Sequence, residues 1–140
     1  MTRLPATPLD DALDRLGDRW SLRVVEAILD GPRRFNELTQ AIPGLAPNIL
    51  SDRLRRLERS GVLVSERYSE HPPRFVYRLT EDGRELAGVL HLLADWAARG
   101  SGTAEPQRHG ACGTAVEARW YCPTCARVVD HGESTAELRL

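Results

Sequence analysis

Apolar residues recur at helical spacing through the first third of the chain. Leu9, Leu13 and Leu16 share one face of a short helix that Gly17 stops. Asp18 is placed to cap a second helix, in which Trp20, Val24, Ala27 and Ile28 form one stripe and Asp30-Gly31-Pro32 marks the end. After Arg33-Arg34-Phe35, Asn36 is the expected cap of a third helix through Ile42, closed by Pro43 and Gly44.

The fourth helix spans APNILSDRLRRLERSG, 46–61, with Pro47 at the favoured first helical position and Gly61 just past the end. At about 100° per residue, Leu50, Leu54 and Leu57 fall in a narrow arc. Asn48, Asp52, Arg55 and Arg59 point the opposite way, with Ser51 and Arg56 beside them. Beyond Gly61 the period changes to two. VLVSERY and RFVYRLT are strand-like runs joined by SEHPP, so Phe75, Tyr77 and Leu79 share one face and Arg74, Val76 and Arg78 the other. Thr80 then caps a last helix with Leu86, Leu90, Leu93 and Trp96 (or Ala97) as its stripe, and RGSGTAEPQRHG reads as a linker. His91 is expected on that helix's surface.

At 140 residues the chain suits one compact domain with an appendage. No run approaches the roughly 18 apolar residues of a membrane span, and the N-terminus lacks a signal-peptide pattern, so a cytoplasmic location with no membrane association is expected. The net charge of −1 conceals an uneven distribution. Between Arg33 and Arg78 nine arginines stand against five acids, while both flanks are acidic. Every cation is Arg, which suits phosphate recognition and equally fits a coding bias. No phosphate-cradling glycine loop, GxSxG elbow or HExxH is present, so an enzyme is not expected.

A helix pair whose second member is outwardly basic, followed by a two-stranded hairpin, is the winged helix-turn-helix plan. An amphipathic helix with a solvated charged face gives the same local pattern; the order of elements favours DNA. The motifs LGDRWSL, DGPRRFNEL, LSDRLRRLERSGV and PPRFVYRLTEDGREL, with the late Trp96, strongly resemble the HxlR-type transcriptional regulators over residues 8–100. That resemblance implies a homodimer built through the first and last helices, here Leu9–Leu16 and Leu86–Trp96. Many members carry a cysteine just before the first helix. This chain has none there, so thiol sensing at that position does not carry over. Where a serine often caps the recognition helix, this chain has Ala46, at a cost of about 1 kcal/mol partly offset by Pro47.

The expected function is sequence-specific binding of double-stranded DNA by a dimeric transcriptional regulator. Asn48, Ser51, Asp52 and Arg55 lie in the first turns of the recognition helix, within reach of base edges. Arg53, Arg56 and Arg59 are expected phosphate contacts, although Arg53, nearer the buried arc, equally suits a bridge within the protein. Wing residues Arg67, His71 and Arg74 are placed for phosphate or the minor groove, with His71 equally readable as an exposed loop histidine.

The three cysteines cluster near the C-terminus, where a reducing compartment argues against disulfides. His109, Cys112, Cys122 and Cys125 give HxxC, nine residues, then CxxC, the spacing of two knuckles on one tetrahedral zinc. His131 is an alternative fourth ligand. So short a tail, with Val116, Trp120 and Tyr121 as its sizeable apolar groups, cannot fold by burial alone, and structural zinc worth about 10–16 kcal/mol would order it. The expected architecture is therefore mainly α with a small β hairpin. It comprises a winged helix-turn-helix domain (1–100), a linker (101–108) and a zinc-ribbon-like hairpin tail (109–140). The competing reading is a metal- or redox-sensing protein-interaction module using that tail.

Overall fold

The computed structural model describes residues 6–102 and 105–129. Helices α1 (Pro8–Leu16), α2 (Arg19–Leu29), α3 (Phe35–Ala41), α4 (Pro47–Arg59) and α5 (Glu81–Ser101) alternate with strands β1 (Arg33–Arg34), β2 (Leu63–Glu70), β3 (Pro73–Leu79), β4 (Trp120–Cys122) and β5 (Arg127–Val129). The chain divides into two compact units, Met1–His91 and Leu92–Leu140. It is a winged helix-turn-helix, mainly helical, with a separate short C-terminal hairpin.

In the first unit, one apolar face from each of α2, α3 and α4 meets the base of the wing. Val24, Val25, Ile28, Leu38, Ile42, Leu50, Leu54, Leu57, Val62, Leu63 and Leu79 form a single buried cluster. The leucine stripe of α4 is wholly inside it, and that burial fixes which face α4 turns to solvent. The wing is a three-stranded sheet of order β1-β3-β2. In it Leu63 opposes Leu79, Ser65 opposes Tyr77 and Arg67 opposes Phe75.

Three expectations change. Arg33 and Arg34 pair with Tyr77 and Val76 of β3, adding a strand too short to show any periodicity. That pairing fixes the entry to α3, so the helix starts at Phe35 with Arg34 rather than Asn36 in the cap position. Glu37 supplies the capping bond, accepting the Arg34 N–H at 2.6 Å. The five residues expected as a loop are mostly strand: Glu70 pairs with Pro73, and only His71 and Pro72, joined by a cis peptide, form the turn. Proline at the first position of a strand leaves no ladder bond unmade. The last helix also runs to Ser101, past the expected start of the linker, and splits its stripe: Leu86 and Leu90 pack on the core, whereas Leu93 and Trp96 are exposed.

Gly83 marks where α5 closes on the core. Thr80 accepts the Gly83 N–H at 3.0 Å and donates its hydroxyl to Gly61 O at 2.6 Å, pinning the helix start to the turn after α4. A Cβ at position 83 would lie 2.0 Å from the Val62 carbonyl oxygen, a backbone atom unable to yield alone. Gly83→Ala is therefore expected to destabilise the first unit by about 1–3 kcal/mol, although alanine is the better helix former. The urea midpoint measures it, and an increase would contradict the packing described.

Candidate nucleic-acid interface

Helix α4 begins without a side-chain cap: Ala46 holds the cap position and Pro47 opens the helix. Its outward face carries Asn48, Asp52, Arg55 and Arg59, all exposed, with Ser51 partly so. The nine arginines between Arg33 and Arg78 separate into two groups. Arg33 donates to Ala27 O at 3.2 Å, Arg34 stacks over Tyr68, Arg67 pairs with Glu70 and Arg78 with Glu66. Arg53 and Arg56 are also engaged within the protein. The side chains of Arg55, Arg59 and Arg74 alone in this stretch make no hydrogen bond, ion pair or ring contact with a described residue, although the Arg55 charge acts on Tyr77 through space.

The partners of Arg53 and Arg56 converge on Asp18. Its carboxylate caps α2, accepting the Trp20 and Ser21 N–H groups at 3.0 Å each and the Ser21 hydroxyl at 2.7 Å. Arg53 Nε donates to the same carboxylate at 3.0 Å and Arg56 lies 3.9 Å from it. Arg53 also pairs with Asp52, and Arg56 donates to Asp14 O at the end of α1. Arg15 extends this seam, donating to Ser60 O at 2.8 Å and Asp82 at 3.0 Å. Burial acts to raise the Asp18 pKa, but the Ser21 bonds, then Arg53, outweigh it and hold it below the ordinary 3.8. Of the predicted phosphate contacts, Arg53 and Arg56 thus take the place of struts between α4 and the helices before it, while Arg59 remains uncommitted.

On the wing, His71 and Arg74 are exposed at the hairpin tip, and Arg67 lies over the Phe75 ring. A groove of about 500 Å³ beside it is lined by Arg34, Phe35, Asn36, Tyr68, Arg74 and Phe75 among others. Sequence reasoning leaves Arg34 and Tyr68 out of this surface. The β1–β3 pairing, which two residues of strand cannot announce, brings Arg34 to the wing, where it lies over Tyr68 at the β2 register shift between Arg67 and Ser69.

In the second unit the expected ligands form two pairs. His109 Nδ1 lies 3.3 Å from Cys112 Sγ, and Cys122 and Cys125 stand in the turn that joins β4 to β5. Hydrogen bonds from Thr114, then His109, hold the Cys112 thiol below its usual range, and bonds from Cys125 do the same for Cys122. Among the described residues no three His, Cys, Asp or Glu side chains gather as a metal-holding group. His131 lies outside the described residues. No helix among them is long and apolar enough to cross a membrane.

Comparison with known proteins agrees with this fold. The HxlR-like helix-turn-helix family profile matches residues 15–104. The HTH-type transcriptional regulator YodB of Bacillus subtilis is 34% identical over 89 residues, covering 64% of this chain and 80% of that protein. The uncharacterized HTH-type transcriptional regulator Rv3095 of Mycobacterium tuberculosis is 34% identical over 130 residues, covering 90% of this chain and 82% of its own length. A match that broad leaves only about 14 of 140 residues outside it, so it takes in the tail as far as Cys125. The solved structure of the redox regulator HypR in its reduced form superposes with a TM-score of 0.62 at 33% identity, covering 66% of this chain and 94% of that one. The fold, the matched span and these relatives together place the chain in the HxlR-like helix-turn-helix family of transcriptional regulators.

Proposed function

We propose that the protein binds duplex DNA sequence-specifically as a homodimer, with α4 in the major groove and the β2–β3 wing on the adjacent backbone. The observation that carries this reading is the division of the arginines. Arg55, Arg59 and Arg74 are left uncommitted on α4 and the wing tip, while their neighbours are tied down internally. An arginine without an internal partner keeps its fork of donors for guanine or phosphate. Asn48, Ser51 and Arg55 are assigned to base edges, with Asp52 able to accept from cytosine. Arg59 and Arg74 are assigned to phosphate; Arg34, His71 and Arg67 border that path. A two-fold dimer then requires half-sites about 34–36 Å apart.

The dimer reading draws on exposed apolar side chains. Helix α1 leaves Leu9 and Leu13 exposed, and α5 leaves Val89, Leu92, Leu93 and Trp96 exposed, Trp96 to 70%. A monomer gains nothing from presenting such helix faces to water, whereas a second copy buries them. Leu93→Asp is expected to convert the dimer to monomer in analytical ultracentrifugation and to weaken operator binding at least tenfold. A wild-type chain that sediments as a monomer at micromolar concentration contradicts the dimer. DNA binding itself is tested by titrating salt against a duplex: affinity should fall by about 0.9 log units per log unit of salt for each phosphate neutralised.

Redox regulation, the role named for HypR, is not assigned to this DNA-binding unit. All three cysteines stand at 112, 122 and 125, beyond the span the family profile matches.

A further inference from the structure

We propose that the tail carries a structural zinc site built from two hairpin turns that each present two ligands. The first turn, His109-Gly110-Ala111-Cys112-Gly113, sits inside the antiparallel bridge between Arg108 and Ala115. The Gly113 N–H donates to His109 O at 2.7 Å, and Gly113 takes φ +70°. The second, Cys122-Pro123-Thr124-Cys125-Ala126, joins β4 to β5, and Ala126 takes φ +52°. Both read ligand, two residues, ligand, left-handed residue. Ala126 is the one described residue other than glycine at positive φ, a backbone state that alanine adopts only when its surroundings impose it.

The ligand atoms suit zinc. Zinc–nitrogen and zinc–sulfur bonds of about 2.0–2.1 and 2.3 Å put tetrahedral N and S ligands roughly 3.5 Å apart. The His109 Nδ1 to Cys112 Sγ separation of 3.3 Å is close to that. With four protein ligands no position is open for substrate, which makes the site structural.

The need for a crosslink is also visible. No residue between 105 and 129 is buried, and Val116, Trp120, Tyr121 and Val128 are exposed, so these two hairpins have no core of their own. Each turn holds half of the donor set, and no three ligands are gathered among the described residues. The ion's contribution is to draw the two turns of this unit onto one centre.

The test uses the full chain, expressed with added zinc and purified under reducing conditions. Native mass spectrometry should show one zinc per chain. Cys112→Ser and Cys122→Ser should each abolish it, and cobalt in place of zinc should give the visible bands of a tetrahedral thiolate site. In the wild type all three thiols should resist alkylation until a chelator is added, a readout that does not depend on the variants folding. A metal-free chain with freely alkylated thiols overturns the proposal. So does full zinc retention in Cys112→Ser, because an ion held without the first turn is not this site.

Discussion

Arg55→Ala is expected to lower affinity for the operator by roughly 5- to 150-fold, the equivalent of about 1–3 kcal/mol for a bidentate base contact. It should also relax sequence preference at one position of each half-site. Arg59→Ala should behave differently, weakening binding to all duplexes alike and reducing the salt slope by about 0.9 for each phosphate that is no longer neutralised. Arg53→Ala supplies the contrast. Its side chain, only 22% exposed, is bound to Asp18 and Asp52, so removing it should lower stability and leave the salt slope unchanged. Fluorescence anisotropy at several salt concentrations separates the three. An unchanged affinity for Arg55→Ala removes the basis for placing α4 in the groove.

Asp18→Ala is expected to cost about 2–4 kcal/mol of stability, a large share of the 5–15 kcal/mol typical of a whole domain. A missing helix cap accounts for about 1 kcal/mol of it. The fully buried Ser21 loses the acceptor of its hydroxyl, and the partly buried Arg53 loses its principal partner. Asp18→Asn should be milder, since asparagine still caps a helix but cannot neutralise the arginines. The same carboxylate sets a pH dependence. Because its folded pKa lies below the ordinary 3.8, its stabilisation is fully present above that value and lost as pH falls through the folded pKa. Wild-type urea midpoints should therefore fall more steeply below pH 4 than those of Asp18→Asn. Parallel acid profiles in the two proteins would show that the carboxylate is not the group responsible.

The contrast between Arg53 and Arg55 shows how far a sequence can be read. Leu50, Leu54 and Leu57 announce the buried face of α4 because helical periodicity is local, and Pro47 and Gly61 announce its ends for the same reason. Asp18 is legible as a cap from its position alone, and the Asp18 side chain does cap α2. That it also grips Arg53, 35 residues away, is a tertiary fact no spacing contains. Two arginines two positions apart on one basic helix therefore look alike in sequence and differ in the fold, one a strut and one free. The β1 strand escapes a sequence reading on similar grounds: two residues show no period, and Arg33 and Arg34 become strand only because β3 offers them a ladder. In the tail, spacing picks out four donors, and the structure adds that the two turns share one backbone pattern, ending at Gly113 and Ala126.

The most direct measurement is a hydroxyl-radical footprint of the wild-type protein on the intergenic DNA beside its own gene. Two protected patches are expected, related by a pseudo-two-fold axis, one helical turn or about 10–10.5 base pairs apart, and fading together as salt is raised. Protection confined to a single patch, or equal protection of that DNA and a scrambled duplex, would contradict a dimer reading sequence through α4.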